Sequence, residues 1–234
     1  LSENASGAIQ LEFPVALSIG KGLQQFTDAL SEVNLDGNKL ELPILDLQRQ
    51  VAMRLVADVT SSQGQGETAI VTLKKGTVQL EVPEKTVDFT NIPSSVGKMG
   101  VTITASLKRL PVNARLVITP RWSLNAKAYG DLELLALNSD NMIANVGAVI
   151  EVGHTNLSNG TEVGTITLRL SVDSTWVDAN GGVKQIQISR VAEDGEVEFL
   201  PTTSYPADET GQTVFEASAI NGFSMFSLLA LQPT

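Results

Sequence analysis

The chain contains no cysteine, which excludes disulfide staples and thiolate metal sites. Its single histidine, His154, equally excludes a zinc centre built on several imidazoles. Aromatic residues make up 5% of the sequence and include two tryptophans, Trp122 and Trp176, too few and too separated to form an evident sugar-binding platform. No apolar run reaches the roughly 18 residues of a membrane span. Leu1 opens the chain with no basic or apolar signal-like segment behind it, so any such segment was either removed by processing or is not part of this chain. Positive charge is also scarce: 16 Lys and Arg stand against 26 Asp and Glu, for a net charge of −10. A phosphate-backbone binder needs clustered cations, so nucleic acid is not an expected partner. Phosphate-cradling glycine motifs, a Gly-x-Ser-x-Gly elbow and repeats of solenoid or propeller length are all missing.

What the sequence does have is alternation. Hydrophobic residues are 42% of 234, enough for real cores. Polar and apolar residues take turns over Ile9–Ile19, Leu40–Ile44, Val51–Val59, Val78–Val82, Val101–Leu107 and Val146–Val152, the period of half-buried strands. Pro14 and Pro43 sit on the polar face of their runs and mark edge strands. Asp36-Gly37 signals a hairpin, and Lys74-Lys75-Gly76 reads as a turn. Leu23, Phe26, Leu30 and Val33 fit a short amphipathic helix over 20–33, whereas 131–144 suits helix and strand equally. Many brief strands at close spacing predict an all-β fold of two β-sandwich domains, Ig-like or Greek-key, with at most one or two short helices. The boundary is placed at Leu110-Pro111-Val112-Asn113, giving domains 1–110 and 111–234.

The last third is the most regular stretch. Thr165–Val172 alternates strictly, Ser174-Thr175-Trp176 and Asn180-Gly181-Gly182 turn the chain, and Ile188-Ser189-Arg190 closes the next run. Asp194-Gly195 and Leu200-Pro201-Thr202 follow, then Gly222-Phe223-Ser224-Met225-Phe226 opens a run that is apolar on both faces, as in a strand covered on both sides. This order of features resembles the PGF-pre-PGF type of module found in surface proteins of archaea and some bacteria. The resemblance covers about the last 70 residues and, more faintly, about 40 before them, and Asn221 stands where that family usually has Pro. It implies an exported, extracellular β-module at the cell surface and brings no catalytic residues with it. Phe223 and Phe226 read as core anchors, and Trp176 as a plug at a strand end.

Each candidate for chemistry has a plainer role beside it. His154 lies beside a turn and reads as a surface residue or a local hydrogen bonder. A cleft that gathered it with a carboxylate and a serine would favour an enzyme. The acids Asp131, Glu133, Glu151, Asp173 and Asp178 qualify as glycosidase carboxylates by composition only. No cofactor is expected, and calcium is the one ion with candidate ligands: Asp173, Asp178 and Asn180 are spaced so that a loop could bring their oxygens together, with Asn138-Ser139-Asp140-Asn141 as a weaker second set. A solvated turn with Asx hydrogen bonds is the preferred reading of the same residues. Asn4, Asn156 and Asn159 head Asn-x-Ser/Thr glycosylation triplets.

The expected function is therefore a non-enzymatic structural or adhesive module of an extracellular prokaryotic surface protein. Its partners would be copies of itself or neighbouring surface-protein domains, in the most specific form a self-assembling surface-layer or filament subunit that uses strand addition. The alternative is a carbohydrate-binding accessory domain of a secreted hydrolase, which needs an exposed planar pair among Trp122, Trp176, Tyr129 and Tyr205.

Overall fold

The computed structural model describes residues 2–3, 9–10, 15–18, 34–36, 39–46, 51–63, 70–107, 109–110, 115–155, 157–206, 209–220 and 222–234; side chains are described for Val82 and across most of the chain from Glu84 onward. The first strands are β1 (Ser2–Glu3), β2 (Ile9–Gln10), β3 (Val15–Ser18), β4 (Asn34–Asp36), β5 (Lys39–Asp46) and β6 (Val51–Gln63). Next come β7 (Ile70–Asp88), β8 (Lys98–Leu107), β9 (Arg109–Leu110), β10 (Arg115–Pro120), helix α1 (Ala126–Leu137), β11 (Asn141–Thr155) and β12 (Val163–Asp173). Helix α2 (Ser174–Ala179), a 3₁₀ turn (Val183–Gln185), β13 (Ile186–Val191), β14 (Val197–Leu200), β15 (Thr202–Tyr205), β16 (Gln212–Ala219) and β17 (Met225–Pro233) complete the chain. The fold is all-β, with two short α-helices among the described residues. The expected helix over 20–33 lies outside them.

Two compact units divide the chain: Leu1–Pro83 with Thr104–Ala114 and Asn156–Gly164, and Glu84–Ile103 with Arg115–Thr155 and Thr165–Thr234. In the first, β4, β5, β6 and β7 pair in order, β3 pairs with β7, and β1, β2 and β9 form a small sheet. The Asp36-Gly37 hairpin signal is borne out by the antiparallel pairing of β4 with β5, in which Asp36 stands opposite Lys39. Of the strand expected over Ile9–Ile19, the described residues are β2, which pairs with β1 and β9, and β3, which pairs with β7; residues 11–14 and 19 lie outside them. The turn expected at Lys74-Lys75-Gly76 does not form. β7 runs straight through it, with Gly76 opposite Ala57. Register shifts at Asp58/Val59 and Val59/Ser61 absorb the irregularity, so β-bulges replace a chain reversal.

The second unit holds two antiparallel sheets, ordered β10-β11-β17-β13-β14 and β15-β16-β12-β8-β7. Alternation is borne out in β8, where Met99, Val101, Ile103, Ala105 and Leu107 are buried, and in β12, where Ile166, Leu168, Leu170 and Val172 are. The strand predicted to be covered on both faces is β17. It lies between β11 and β13, and Phe226 through Ala230 are all buried. One face carries α1, whose Ala128 and Leu132 pack with Leu229, Val149, Val191 and Leu124. By alternation Phe226, Leu228 and Ala230 point the other way, and each buried Leu or Phe contributes about 1.5–3 kcal/mol. The ambiguous stretch resolves as α1 followed by a turn and β11, because Asn125 caps Ala128 N–H at 2.8 Å and starts a helix there.

Candidate functional site: a cleft at the start of helix α1

Within the second unit, a cleft of about 450 Å³ opens on the sheet beside the N-terminal end of α1. Its size is that of small-molecule sites, roughly 300–1,000 Å³. β11 supplies Glu151, Gly153 and His154, the turn after β13 supplies Ala192, Glu193 and Gly195, and Phe223–Met225 close the floor. These segments meet for local reasons. Val152 N–H donates to the Ser224 carbonyl at 3.0 Å, tying the approach to β17 onto β11. The turn closes through Gly195 N–H to the Ala192 carbonyl at 2.9 Å, with Gly195 at φ 87°, a conformation that favours glycine.

The polar side chains are paired with one another. His154 Nε2 stands 3.1 Å from Glu193 Oε1, its side chain is 14% exposed, and its ring lies tilted 5.6 Å from Phe223. Glu151 accepts from the Arg121 guanidinium, with Nε at 2.6 Å. The Ser224 hydroxyl accepts from Arg190 Nε at 2.9 Å, and Arg190 also donates to Glu198 at 2.8 Å. The structure thus brings His154, two carboxylates and a serine into one cleft. Its hydrogen bonds sort them into His154 with Glu193 and Ser224 with Arg190. Arg190 occupies an acceptor site of the Ser224 hydroxyl, and the ring nitrogen of His154 faces Glu193.

The other candidates fall elsewhere. Asp131 is on α1 in an ion pair with Lys127 at 2.7 Å, and Glu133 is exposed on the same helix. Asp173 caps α2: its carboxylate accepts from the Thr175 N–H at 2.8 Å and hydroxyl at 2.7 Å. These bonds hold its pKa below the ordinary Asp value. Asp178 is exposed within α2. Asn180 ends the same helix, donating to the Trp176 carbonyl at 2.8 Å and accepting from Asn145 at 3.1 Å. Asp173 and Asn180 therefore bracket α2, whose six residues span about 9 Å, and are not brought together. Among the described residues no three of His, Cys, Asp or Glu are gathered to hold a metal. In the second set, Asn138 caps the end of α1 and Asn141 donates to the Ser139 carbonyl at 2.6 Å.

Of the glycosylation triplets, Asn4 and Asn156 lie outside the described residues. Asn159 is half-buried in a bridge with Val163. The aromatic candidates are scattered: Trp122 is 75% exposed after β10, Tyr205 is 39% exposed under the Arg169 guanidinium, and Trp176 and Tyr129 are half-buried on α2 and α1. Trp176, expected as a plug at a strand end, follows β12 half-buried with its indole packed against Gly147, and Val177 beside it is buried. Compared with protein-family models, with curated proteins and with solved structures, the chain matches none.

Proposed function

We propose that this chain is a non-enzymatic structural or adhesive module of an extracellular prokaryotic surface protein. The observation that carries the reading is the pairing inside the cleft. The groups best suited to chemistry are bound to one another: His154 to Glu193, Glu151 to Arg121, and Ser224 to Arg190. Such pairs brace a scaffold. Turn glycines and core anchors in the last third also support a structural reading. Gly181 and Gly182 take positive φ in the turn after α2, Pro201 links β14 of one sheet to β15 of the other, and Gly222 at φ 104° precedes the anchors Phe223 and Phe226.

Copies of the same chain, or neighbouring domains, are the partners this reading expects. β10 is the outer strand of its sheet. Arg121 N–H bonds to the Val149 carbonyl, which fixes the phase of the ladder and turns the polar groups of Leu116 and Ile118 outward. Pro120 removes the next donor. The test has two arms on the purified chain. Sedimentation velocity over a wide concentration range, with electron microscopy of the concentrated sample, should show ordered self-association. Chromogenic esters and glycosides should show no turnover that Ser224→Ala, Glu151→Gln or Glu193→Gln abolishes. A monomer at every concentration that also hydrolyses such a substrate through these residues would overturn the reading.

A further inference from the structure

We infer that the cleft beside α1 is a binding site for a neutral saccharide, with the lone indole of Trp122 as its stacking surface in place of the planar aromatic pair, which the scattered candidates do not form. The inference deepens the adhesive form of the reading above by naming the chemistry to which the module would adhere. Three observations carry it. The first is the lining, which mixes apolar groups (Phe223, Met225, Val191) with planar polar ones (Asn125, Glu151, Glu193) and two glycines. Sugars present both kinds of surface, C–H faces and hydroxyl edges.

The second is charge. Each carboxylate already has a cationic or imidazole partner, Arg121 for Glu151 and His154 for Glu193. An anion entering here meets two carboxylates, and a cation must compete with Arg121. A purely apolar ligand strips water from both pairs without replacing its hydrogen bonds. A hydroxyl donates to a carboxylate and accepts from a guanidinium or amide without breaking either pair. The pairs also hold the acceptors in place before the ligand arrives, which lowers the ordering cost of binding.

The third is Trp122. It is the most exposed large apolar side chain among those described, at 75%. It follows Arg121, which grips Glu151 of the cleft, and stands three residues before Asn125, which lines it. An uncovered indole on this link between Arg121 and Asn125 is the aromatic surface the proposed site would use. Room exists on the sheet itself: a Cβ built at Gly153 meets nothing nearer than the Val117 carbonyl oxygen at 3.8 Å. A larger side chain there would fill the cleft and leave its polar pairs intact.

The test titrates the full chain with glucose, galactose, mannose, N-acetylglucosamine and their β-linked disaccharides. Tryptophan fluorescence and ligand-observed NMR report binding, with glucuronate and putrescine as charged probes. At least one neutral saccharide should saturate the protein and shift the fluorescence. Trp122→Phe should remove that shift and weaken binding by NMR, and Glu193→Gln should weaken it by about tenfold, the worth of one charge-assisted hydrogen bond. Gly153→Val should abolish binding while leaving the melting temperature within a degree or so of wild type. Binding by none of the neutral sugars, tighter binding of glucuronate or putrescine, or undiminished binding in Gly153→Val would each overturn the inference. None of those results alters the sedimentation outcome, so failure of the saccharide site stays distinct from failure of the assembly reading.

Discussion

Trp176 lies against Gly147. Gly147 is the extra residue of a bulge in β11, between the Val146/Leu229 and Ala148/Leu228 pairs. A Cβ built there falls 2.7 Å from Trp176 Cη2 and 2.9 Å from Val96 Cγ1, closer than real side chains approach. The indole N–H donates to the Ser94 carbonyl at 3.1 Å, and Asn145 Nδ2 donates to the same oxygen at 2.9 Å. Ser94 is held at φ 62°, a left-handed conformation uncommon outside glycine. One bulge, one tryptophan and one strained turn thus fix each other. Gly147→Ala should cost about 1–3 kcal/mol by overpacking. In a Trp176→Leu background the same change should cost far less. A double-mutant cycle in urea measures the coupling, and equal costs in both backgrounds would refute the packing account.

Ser189 and Ser227 face each other across β13 and β17, share a hydrogen bond, and are 0% and 2% exposed. Ser189→Ala or Ser227→Ala alone leaves one buried hydroxyl without its partner, for about 1–3 kcal/mol. The double alanine variant should recover most of that loss, because both polar groups are then gone. Equilibrium unfolding of the three variants checks this, and strictly additive losses would contradict it.

Leu132 and Leu134 sit two residues apart on α1 but on different faces. Leu132 is 0% exposed against Leu229, and Leu134 is 61% exposed. Leu132→Ala should cost about 2–5 kcal/mol through the cavity it leaves. Leu134→Ala should change stability by no more than about 0.5 kcal/mol. Circular dichroism melts of the pair separate the two faces of one helix.

The contrast between those two leucines also shows what the sequence could reveal. β8, β12 and β17 were legible because their residues keep strict period or, in β17, bury both faces. Residues 131–144 were not, since Leu132, Leu134, Leu135 and Leu137 satisfy neither period. Asn125, the cap that decides for helix, lies upstream of the run. In β11 the alternation holds in space for Ala148, Ile150 and Val152 but not for Val146. The extra residue Gly147 turns Val146 to the helix side with Leu229, opposite to Ala148. The cleft was less legible still. His154, Glu151 and Ser224 were each noticeable, yet Glu193 is 39 residues from His154 and no spacing links them. Only the closure of the sheet brings them together.

Asp173 gives a pH-dependent prediction with a definite sign. Hydrogen bonds from the Thr175 hydroxyl and then its N–H lower the carboxylate's pKa, outweighing a small opposing desolvation. A folded-state pKa below the unfolded one means that ionisation favours folding. The contribution is complete above the unfolded value of about 3.9 and is lost as pH falls through the lower folded value. Asp88, lowered first by the Thr90 hydroxyl and then by its N–H, adds to the same acid limb. Asp173→Asn keeps an oxygen to cap α2 but cannot titrate. It should therefore stay folded near neutral pH and show a shallower loss of urea stability below about pH 4, where the carboxylate titrates. Asp173→Ala should lose the cap as well and be less stable than Asp173→Asn throughout. Parallel acid limbs in wild type and Asp173→Asn would mean that this carboxylate carries none of the pH dependence.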